Sequence, residues 1–300
     1  MTSRKAPQSV AEIVCVGAAC VDRIFRTNET ALAGTSNPAD CTLSFGGVAR
    51  NVAENLARLG SEVSLCSVVG DDDDAGKLLE HLIAAGVDVS SVIMSHAYAT
   101  PQYAAIVGPE GELFAGASDM RAVEALTIAD LDRWLAASAD AAWIFLDCNL
   151  PAELLATCID RRNSSLWKLA IDGTSVVKVR RLPQDLSNLD LLFVNEAESV
   201  ALAGRARCTI ASRGVAGVLV IPSEEGTLAP TDVGGRASRP CLAFPAALAS
   251  PVDTTGAGDA LIAGTLHALL QGANIESAVR AGMLLAARAV ETHGAVPTLR

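Results

Sequence analysis

Two glycines and an aspartate near the carboxyl terminus have a spacing that suits chemistry on phosphate. Residues 253–260 read DTTGAGDA, and the apolar run that follows, residues 261–270, predicts a helix. Glycines two positions apart let a ligand approach the backbone closely, because no Cβ stands in the way. A helix that begins there directs unpaired N–H groups and the positive end of its dipole toward an anion. The turn therefore suits a phosphate, or an oxyanion that develops during a reaction.

Asp259 is expected at the head of this helix, beside the same anion site. A carboxylate there is badly placed to bind the anion, but it can take a proton from a hydroxyl that attacks a phosphoryl group. Phosphoryl transfer needs this combination of amides for the phosphoryl oxygens and a base for the nucleophile. We therefore expect Gly256, Ala257 and Gly258 to supply the amides and Asp259 the base. The alternative is that Asp259 only caps the first helical turn, since G-x-G alone is a common pattern.

The composition is that of a large globular domain. Half of the 300 residues are hydrophobic, which suits one α/β domain whose core needs neither disulfides nor a metal. The net charge of −11 argues against a nucleic-acid surface, although local amides and a few cations would still bind a nucleotide. The eight cysteines include no C-x-x-C pair, and we expect free thiols. We find neither a signal peptide nor a membrane span, and we expect a cytoplasmic enzyme without a membrane partner.

Short apolar runs alternate with helical patterns along most of the chain. The runs that predict strands are residues 13–17, 63–69, 142–146, 169–171, 191–194 and 218–221, and the patterns that predict helices are residues 48–59, 77–85, 151–161 and 275–292. Strands separated by helices imply a parallel sheet that is covered on both faces. Residues 26–45 and 98–118 lack a helical period, and the second segment contains a hairpin signal. We expect these two segments to form a small β lid inserted in one domain, residues 11–300.

Two further groups of residues are candidates for binding a polar substrate. Asp22 follows the first predicted strand, and ligands of open α/β sheets collect beyond the carboxyl ends of the strands. Its carboxylate can accept hydrogen bonds from two sugar hydroxyls, and an Asp in a turn is the alternative. Gly46 and Gly47 open the next helix, and Asn51 in its first turn offers both a donor and an acceptor to a hydroxyl. The alternative there is a glycine turn followed by an Asn on the helix surface.

The DTTGAGDA segment resembles the D-T-x-G-A-G-D signature of the ribokinase-like, or PfkB-type, carbohydrate kinases. Gly46, Gly47 and Asn51 resemble the G-G-x-x-x-N element of this family, and residues 69–76 resemble its V-G-x-D-x-x-G segment. The resemblance extends from about residue 13 to residue 297. It implies a three-layer α/β/α fold with a mostly parallel central sheet and a small β lid. It also implies an ATP-dependent phosphotransferase that acts on an alcohol group.

The resemblance also implies which residues handle cations. Asn195 and Glu198 match an N-x-x-E motif that is associated with Mg²⁺ and phosphate, and one Glu acting through water suffices for Mg²⁺. Asp253, together with Thr255, is the candidate for K⁺. The four acids at residues 71–74 are another possible metal site, but we expect them to favour the N-terminus of the helix that follows.

A nucleotide-binding segment is implied near residue 214. Ser212, Gly214 and Gly217 resemble the family's T-x-G-x-x-G segment, and Thr254 is expected with the nucleotide as well. Only fifteen residues separate Glu198 from Gly214. The family usually fits a whole helix there, so we expect that helix to be shortened or absent.

Within the family, the chain resembles the pseudouridine kinases. Residues 46–57, GGVARNVAENLA, match their helix almost continuously, and shorter likenesses occur around residues 119, 147–149 and 172–178. The residues implied to bind the ribose are Asp22, Gly46, Gly47 and Asn51, and those implied to contact the ribose or the base are Asp119 and Asn149. The implied reaction transfers the γ-phosphoryl group of ATP to the 5′ hydroxyl of pseudouridine. A lid of this kind often pairs between subunits in the family, which implies a homodimer.

Two alternatives stay open and a third is excluded. A kinase of the same family for ribose, adenosine or fructose has nearly the same motifs, because substrate choice depends on the pocket rather than on the fold. A nucleoside-binding protein without catalysis fits the shortened nucleotide region but not the DTTGAGDA turn. An NAD-dependent dehydrogenase is excluded because no G-x-G-x-x-G follows the first predicted strand.

Overall fold

Strands and helices alternate through the part of the chain that the computed structural model describes, which is residues 11–202, 208–212, 218–222, 242–245, 256–291 and 296. The strands are β1 (Ile13–Val16), β2 (Cys20–Thr27), β3 (Ala39–Gly46), β4 (Val63–Cys66), β5 (Val68–Gly70), β6 (Ile93–Ser95), β7 (Gln102–Val107), β8 (Leu113–Asp119), β9 (Trp143–Asp147), β10 (Lys168–Asp172), β11 (Leu191–Asn195), β12 (Cys208–Ser212), β13 (Val218–Pro222) and β14 (Leu242–Phe244). The helices are α1 (Val48–Arg58), α2 (Asp73–Ala84), α3 (Arg121–Glu124), α4 (Ile128–Ala137), α5 (Ala152–Arg162), α6 (Glu196–Leu202), α7 (Ala257–Leu270) and α8 (Ile275–Val290), with a 3₁₀ helix at Lys178–Arg181. None of the helices in these ranges is long and apolar enough to cross a bilayer.

An eight-stranded sheet forms the centre of the protein, with the strand order β14-β13-β12-β11-β10-β9-β1-β4. Six neighbouring strands of this sheet are parallel to one another, namely β4, β1, β9, β10, β11 and β12. β13 and β14 are antiparallel to their neighbours. β1 lies between β4 and β9, and its Ile13 is opposite Val63 of β4 on one side and Trp143 of β9 on the other. β1 and β9 are buried along their whole length, as expected for parallel strands with helices on both faces.

Alternate residues of the central strands point to opposite faces and pack into two hydrophobic clusters. Val14 of β1 and Ile144 of β9 belong to a cluster that includes residues of α4 and α5. Cys15 and Phe145 belong to the other cluster, which includes residues of α1, α7 and α8. Helices therefore cover each face of the sheet. The predicted α/β architecture with a mostly parallel central sheet is confirmed.

A second sheet of four strands is separate from the central one and has the order β3-β2-β7-β8. β2 is antiparallel to β3, β7 is antiparallel to β8, and β2 and β7 are parallel. The sheet begins at Cys20 rather than at residue 26, and most of β3 and β8 is exposed. Its closure over a substrate as a lid stays a prediction.

The predicted strand at residues 63–69 and the predicted helix at residues 77–85 have other bounds in the structure. The run at residues 63–69 is divided, because β4 belongs to the central sheet whereas β5 pairs with β6 in a separate two-stranded sheet. α2 begins at Asp73 rather than at residue 77, because the Asp72 side chain accepts a hydrogen bond from the N–H of Ala75 and caps the helix. The acids at residues 71–74 therefore form a helix N-terminus. Across the described ranges, no group of three His, Cys, Asp or Glu side chains is arranged to hold a metal ion.

The helix that follows Asn195 is present. Within the described residues it is α6, which spans Glu196–Leu202. The next strand, β12, lies between β11 and β13 in the sheet. β12 is therefore not an edge strand.

Candidate active site

The turn that precedes α7 gives the candidate site its first component. Gly256 is the N-cap of α7 and has a φ of 78°, a left-handed conformation that glycine adopts without strain. The helix begins at Ala257 rather than at residue 261, so Asp259 lies in its first turn. The first helical hydrogen bond joins the N–H of Ala260 to the carbonyl of Gly256. The N–H groups before it have no acceptor within the helix, and together with the helix dipole they suit an anion.

A cavity of about 270 Å³ lies against the start of α7. Five of the predicted site residues line it, namely Gly258, Asp259, Asn195, Glu198 and Ser212. Asn195 and Ser212 are the last residues of β11 and β12, and Glu198 lies in the first turn of α6. These residues converge because the carboxyl ends of neighbouring parallel strands meet at one edge of a sheet, which is where open α/β sheets bind ligands.

The Asn51 side chain connects α1 to Asp259. Asn51 Nδ2 donates a 2.7 Å hydrogen bond to Asp259 Oδ2. α1 begins at Val48 after Gly47, whose φ of 96° also favours glycine. The N-terminal turns of α1 and α7 therefore meet at the Asp259 carboxylate, and one of its oxygens is held from α1.

The pKa of Asp259 suits a general base that works near neutral pH. Burial raises its pKa to about 7, and the Asp147 carboxylate adds to the rise. The hydrogen bond from Asn51 and the charge of Arg50 oppose the rise. A base is most effective when its pKa lies near the working pH, because it is then largely ionised and still basic.

Three more carboxylates lie in this region, and burial raises the pKa of each of them. Asp172 and Glu198 line the cavity, whereas Asp147 is wholly buried. The charge of Asp259 raises the pKa of Asp172 further. The described residues that line the cavity include no Lys or Arg. A phosphate bound there consequently needs a cation that these lining residues do not supply.

The arrangement of oxygens fits a hydrated Mg²⁺ better than a metal held by protein ligands alone. Both oxygens of Glu198 accept hydrogen bonds from Asn195, at 3.0 Å from its backbone N–H and at 2.6 Å from its Nδ2. Asp172 Oδ2 accepts a 2.8 Å hydrogen bond from the N–H of Thr174. Mg²⁺ keeps several waters and takes one or two protein carboxylates together with phosphate oxygens, which suits carboxylates fixed in this way. The role of Asn195 and Glu198 toward Mg²⁺ stays a prediction.

Asp22 and the Gly46-Gly47 pair lie side by side. Asp22 is in β2, and Gly46 ends the neighbouring β3. A Cβ on Gly46 would overlap the Asp22 carboxylate, and one on Gly47 would overlap the carbonyl of Ala18. The packing therefore requires glycine at residue 47, where the contact is with backbone, whereas a Cβ on residue 46 would require the Asp22 carboxylate to move. Burial raises the pKa of Asp22, and a hydrogen bond from the Cys20 thiol opposes the rise. Contact of these residues with a ribose stays a prediction.

Asp119 and Asn149 are not among the residues that line the cavity beside Asp259. Asp119 ends β8 and forms an ion pair with Arg121, whose hydrogen bonds lower the pKa of Asp119 to about 2. Asn149 follows β9 and is buried, and its Oδ1 accepts a hydrogen bond from Lys178 Nζ. Both side chains thus have protein partners, and their contact with a substrate stays a prediction.

Several predicted site residues lie outside the described residues. They are Gly214, Gly217, Asp253, Thr254 and Thr255, of which Thr255 is named together with Asp253 for K⁺. Their roles toward ATP and K⁺ stay predictions.

Asp147, Asp172 and Arg50 belong to the site but were not predicted as site residues. Asp147 accepts hydrogen bonds from the N–H groups of Ala18 at 3.0 Å and Ala49 at 2.9 Å, so it joins the end of β1 to the start of α1. Asp147 and Asp172 are the last residues of β9 and β10. The strand-end position that indicated Asp22 therefore indicates them as well. Arg50 has no such signal, because a charged residue on an amphipathic helix is normally expected on its exposed face.

Comparison with known proteins identifies the family. A family model described as pfkB family carbohydrate kinase matches residues 10–300. The chain is 30% identical over 262 residues to the uncharacterized sugar kinase YeiI of Escherichia coli (strain K12), a match that covers 84% of this chain and 70% of that protein. It is 28% identical over 280 residues to the pseudouridine kinase of the same organism, a match that covers 89% of this chain and 87% of that protein.

Two solved structures have a similar fold. A carbohydrate kinase from Agrobacterium tumefaciens matches with a TM-score of 0.80 and 28% identity, over 95% of this chain and 92% of that one. The ribokinase of Arabidopsis thaliana complexed with ribose and ATP matches with a TM-score of 0.80 and 18% identity, over 96% of each chain, and this likeness shows the fold alone. The ribokinase-like fold is therefore confirmed. The chain belongs to the pfkB family of carbohydrate kinases, and it is a phosphotransferase that acts on a hydroxyl group of a sugar or nucleoside.

Proposed function

We propose that this kinase phosphorylates the 5′ hydroxyl of pseudouridine with ATP and releases pseudouridine 5′-phosphate and ADP. The observation that carries the chemistry is the Asp259 carboxylate, which lies at the start of α7, accepts a hydrogen bond from Asn51 and lines the cavity with Asn195 and Glu198. The substrate is supported by the GGVARNVAENLA helix and by the likeness to the E. coli pseudouridine kinase along most of both chains.

Asp259 acts as the general base in the proposed reaction. Its ionised carboxylate takes the proton of the 5′ hydroxyl while the hydroxyl oxygen bonds to the γ-phosphorus. The bond between that phosphorus and the bridging oxygen breaks, and ADP leaves. The N–H groups of Gly256, Ala257 and Gly258 hold the phosphoryl oxygens as their negative charge develops. The hydrogen bond from Asn51 keeps the base directed at the acceptor.

ATP is the proposed phosphoryl donor, and Mg²⁺ and K⁺ are the proposed cations. The Arabidopsis ribokinase of similar fold was solved with ribose and ATP, which supports ATP as the donor. Asn195 and Glu198 are proposed to hold hydrated Mg²⁺, and a bound Mg²⁺ supplies charge neutralisation to the phosphates. Asp253 is proposed for K⁺. The residues proposed to contact ATP are Ser212, Gly214, Gly217 and Thr254.

The four-stranded sheet is proposed to cover the acceptor as a lid. In this proposal Asp22 of β2 accepts hydrogen bonds from ribose hydroxyls, and Asp119 of β8 approaches the uracil ring of the nucleoside. The sheet also bears a mostly apolar cavity of about 470 Å³, to which Phe25, Ile106 and Ala115 contribute. A second copy of the chain that covers this cavity would form the proposed homodimer. A monomer mass from light scattering would contradict the homodimer.

A panel of acceptors tests the substrate. The protein is given ATP and Mg²⁺ with pseudouridine, uridine, adenosine, ribose or fructose, and ADP release is measured for each. We expect kcat/KM for pseudouridine to exceed that of every other acceptor by at least about tenfold. A site that forms hydrogen bonds with one nucleobase loses the binding energy of those bonds when the acceptor carries another nucleobase or none. ³¹P NMR of the product should place the phosphate on the 5′ oxygen. An equal or greater kcat/KM for another acceptor would refute the assignment to pseudouridine.

A kinase for another sugar or nucleoside is the second candidate. The likeness to YeiI, which is named a sugar kinase, favours it, and so does the side chain of Asn149, which is already held by Lys178. The same panel separates the two candidates, because Asp259 performs the same step for either acceptor. A binding protein without catalysis is opposed by the position of Asp259 in the cavity, and ADP release with any acceptor would exclude it.

A further inference from the structure

A buried ion pair on α1 lies next to Asn51. The side chains of Arg50 and Glu54 are 3% and 1% exposed, and Arg50 Nη2 forms an ion pair with the Glu54 carboxylate. Glu54 is held further by Arg58 at 2.5 Å and by His81 Nε2 at 3.0 Å. A buried pair of opposite charges usually gives no more stability than a hydrophobic pair of the same size. Stability alone therefore does not explain why this helix carries the pair.

Arg50 determines which end of the Asn51 amide faces Asp259. Arg50 Nη1 donates hydrogen bonds to Asn51 Oδ1 at 2.7 Å and to the carbonyl of Phe45 at 2.9 Å. A guanidinium group only donates, so it faces the amide oxygen, and the amide nitrogen then faces the carboxylate. That nitrogen is the atom that donates to Asp259 Oδ2. An amide turned by half a rotation would place its oxygen against the carboxylate and lose both hydrogen bonds.

Arg50 also brings positive charge to a site that is rich in carboxylates. The groups that act on Asp259 or share its cavity, over the described elements, are Arg50 and Asn51 of α1, Asp147 of β9, Asp172 of β10 and Glu198 of α6. Arg50 is the cation in this set. Burial raises the pKa of Asp259, Asp147 adds to the rise, and Arg50 opposes it.

We propose that Arg50 is a positioning residue for phosphoryl transfer. Arg50 fixes the orientation of the Asn51 amide, and Asn51 holds the carboxylate of the base Asp259. Glu54 in turn fixes Arg50. Arg50 acts through Asn51 rather than by contact with the substrate. The inference rests on the proposed role of Asp259 as the base. It does not depend on which sugar or nucleoside accepts the phosphate, so the test uses whichever acceptor the panel shows to be turned over best.

The pH dependence of kcat/KM in Arg50 variants tests the proposal. Arg50→Met combined with Glu54→Met replaces both charges by apolar side chains, so no buried charge is left unpaired. We expect kcat/KM at pH 7 to fall by about tenfold or more. The acidic limb of the profile should also move to higher pH, because Asp259 becomes harder to ionise. Arg50→Lys keeps the charge and should move the limb less. Arg58→Gln, which changes the arginine on the outer side of Glu54, is the matched control and should keep the wild-type limb.

A second readout separates positioning from a purely structural role. If Arg50 acts through Asn51, adding the Met pair to Asn51→Ala should lower kcat/KM by no more than about twofold beyond Asn51→Ala alone, when both are measured above the acidic limb, where Asp259 is ionised in every variant. Additive losses in this pH range would overturn the proposal, and so would wild-type profiles in both Arg50 variants. Asp259→Asn is measured beside them. Full turnover in that variant would show instead that the assignment of the base is wrong.

Discussion

Asp259 combines a catalytic position with an environment that disfavours its charge. Burial raises its pKa from the ordinary value of 3.8 to about 7. Between these two pH values the folded protein binds a proton that the unfolded chain has lost, so stability falls as the pH rises through this window. The residue proposed as the base is therefore also a source of instability at the pH at which it works.

Asp259→Asn should stabilise the fold above pH 7. The free energy of unfolding at pH 8 should increase by roughly 1–4 kcal/mol, because the variant no longer carries a buried carboxylate that must ionise. The gain should vanish below about pH 4, where Asp259 is protonated in both states. Urea unfolding at pH 4, 6 and 8 measures the effect. Asp185→Asn is the control without a gain at pH 8, because hydrogen bonds from Ser187 lower the pKa of that exposed carboxyl. A variant that is less stable than wild type at pH 8 would contradict this expectation.

At the scale of the elements, the start of α1 depends on a carboxylate from another part of the chain. Asp147 at the end of β9 accepts hydrogen bonds from the N–H groups of Ala18 and Ala49. α1 has no side-chain cap of its own, since its N-cap is Gly47, and an anion is favourable at a helix N-terminus. Asp147 therefore positions the helix turn that carries Asn51 relative to β1 and β9.

Asp147→Asn should weaken this connection and lower the pKa of Asp259. Asp147 accepts hydrogen bonds through both oxygens, whereas Asn has one acceptor oxygen, so at least one buried N–H loses its partner at a cost of about 1–3 kcal/mol. The lost charge also no longer raises the pKa of Asp259. The acidic limb of kcat/KM should therefore move to lower pH, opposite to the Arg50 variants. Urea unfolding and a pH profile measure the two effects, and a limb that moves to higher pH is the result against this arrangement.

At the scale of the whole molecule, much of the fold follows from local sequence. The sequence predicts β1, β9 and β11 to within one residue at each end, because a strand covered on both faces is apolar throughout. It predicts the start of α7 too late, because the glycine-rich turn has no helical period and its N-cap depends on the left-handed Gly256. It does not predict the break between β4 and β5, since the run at residues 63–69 is apolar on both sides of Ser67.

The contacts within the site are less predictable than the strands. Asn51 and Asp259 are 208 residues apart, and the motifs that indicate each of them do not indicate the hydrogen bond that joins them. Arg50 is buried although a charged residue on an amphipathic helix is expected to be exposed, so the hydrophobic pattern does not predict its contact with Asn51. Asp147 is indicated by its position at the end of β9, but that position does not predict its hydrogen bonds to Ala18 and Ala49. Which residues belong together at the site follows only from the packing of the α1 and α7 turns against the sheet edge.

The role of Asp259 is tested most directly by kcat for Asp259→Asn with ATP, Mg²⁺ and the best acceptor of the panel, measured beside the Kd for ATP. A positioned general base contributes about 10²–10⁴ in rate, so kcat should fall by about that factor. The Kd for ATP should stay close to the wild-type value, because the proposed base acts on the acceptor rather than on the nucleotide. Full turnover by Asp259→Asn would contradict the account, since transfer to the hydroxyl would then not need this carboxylate.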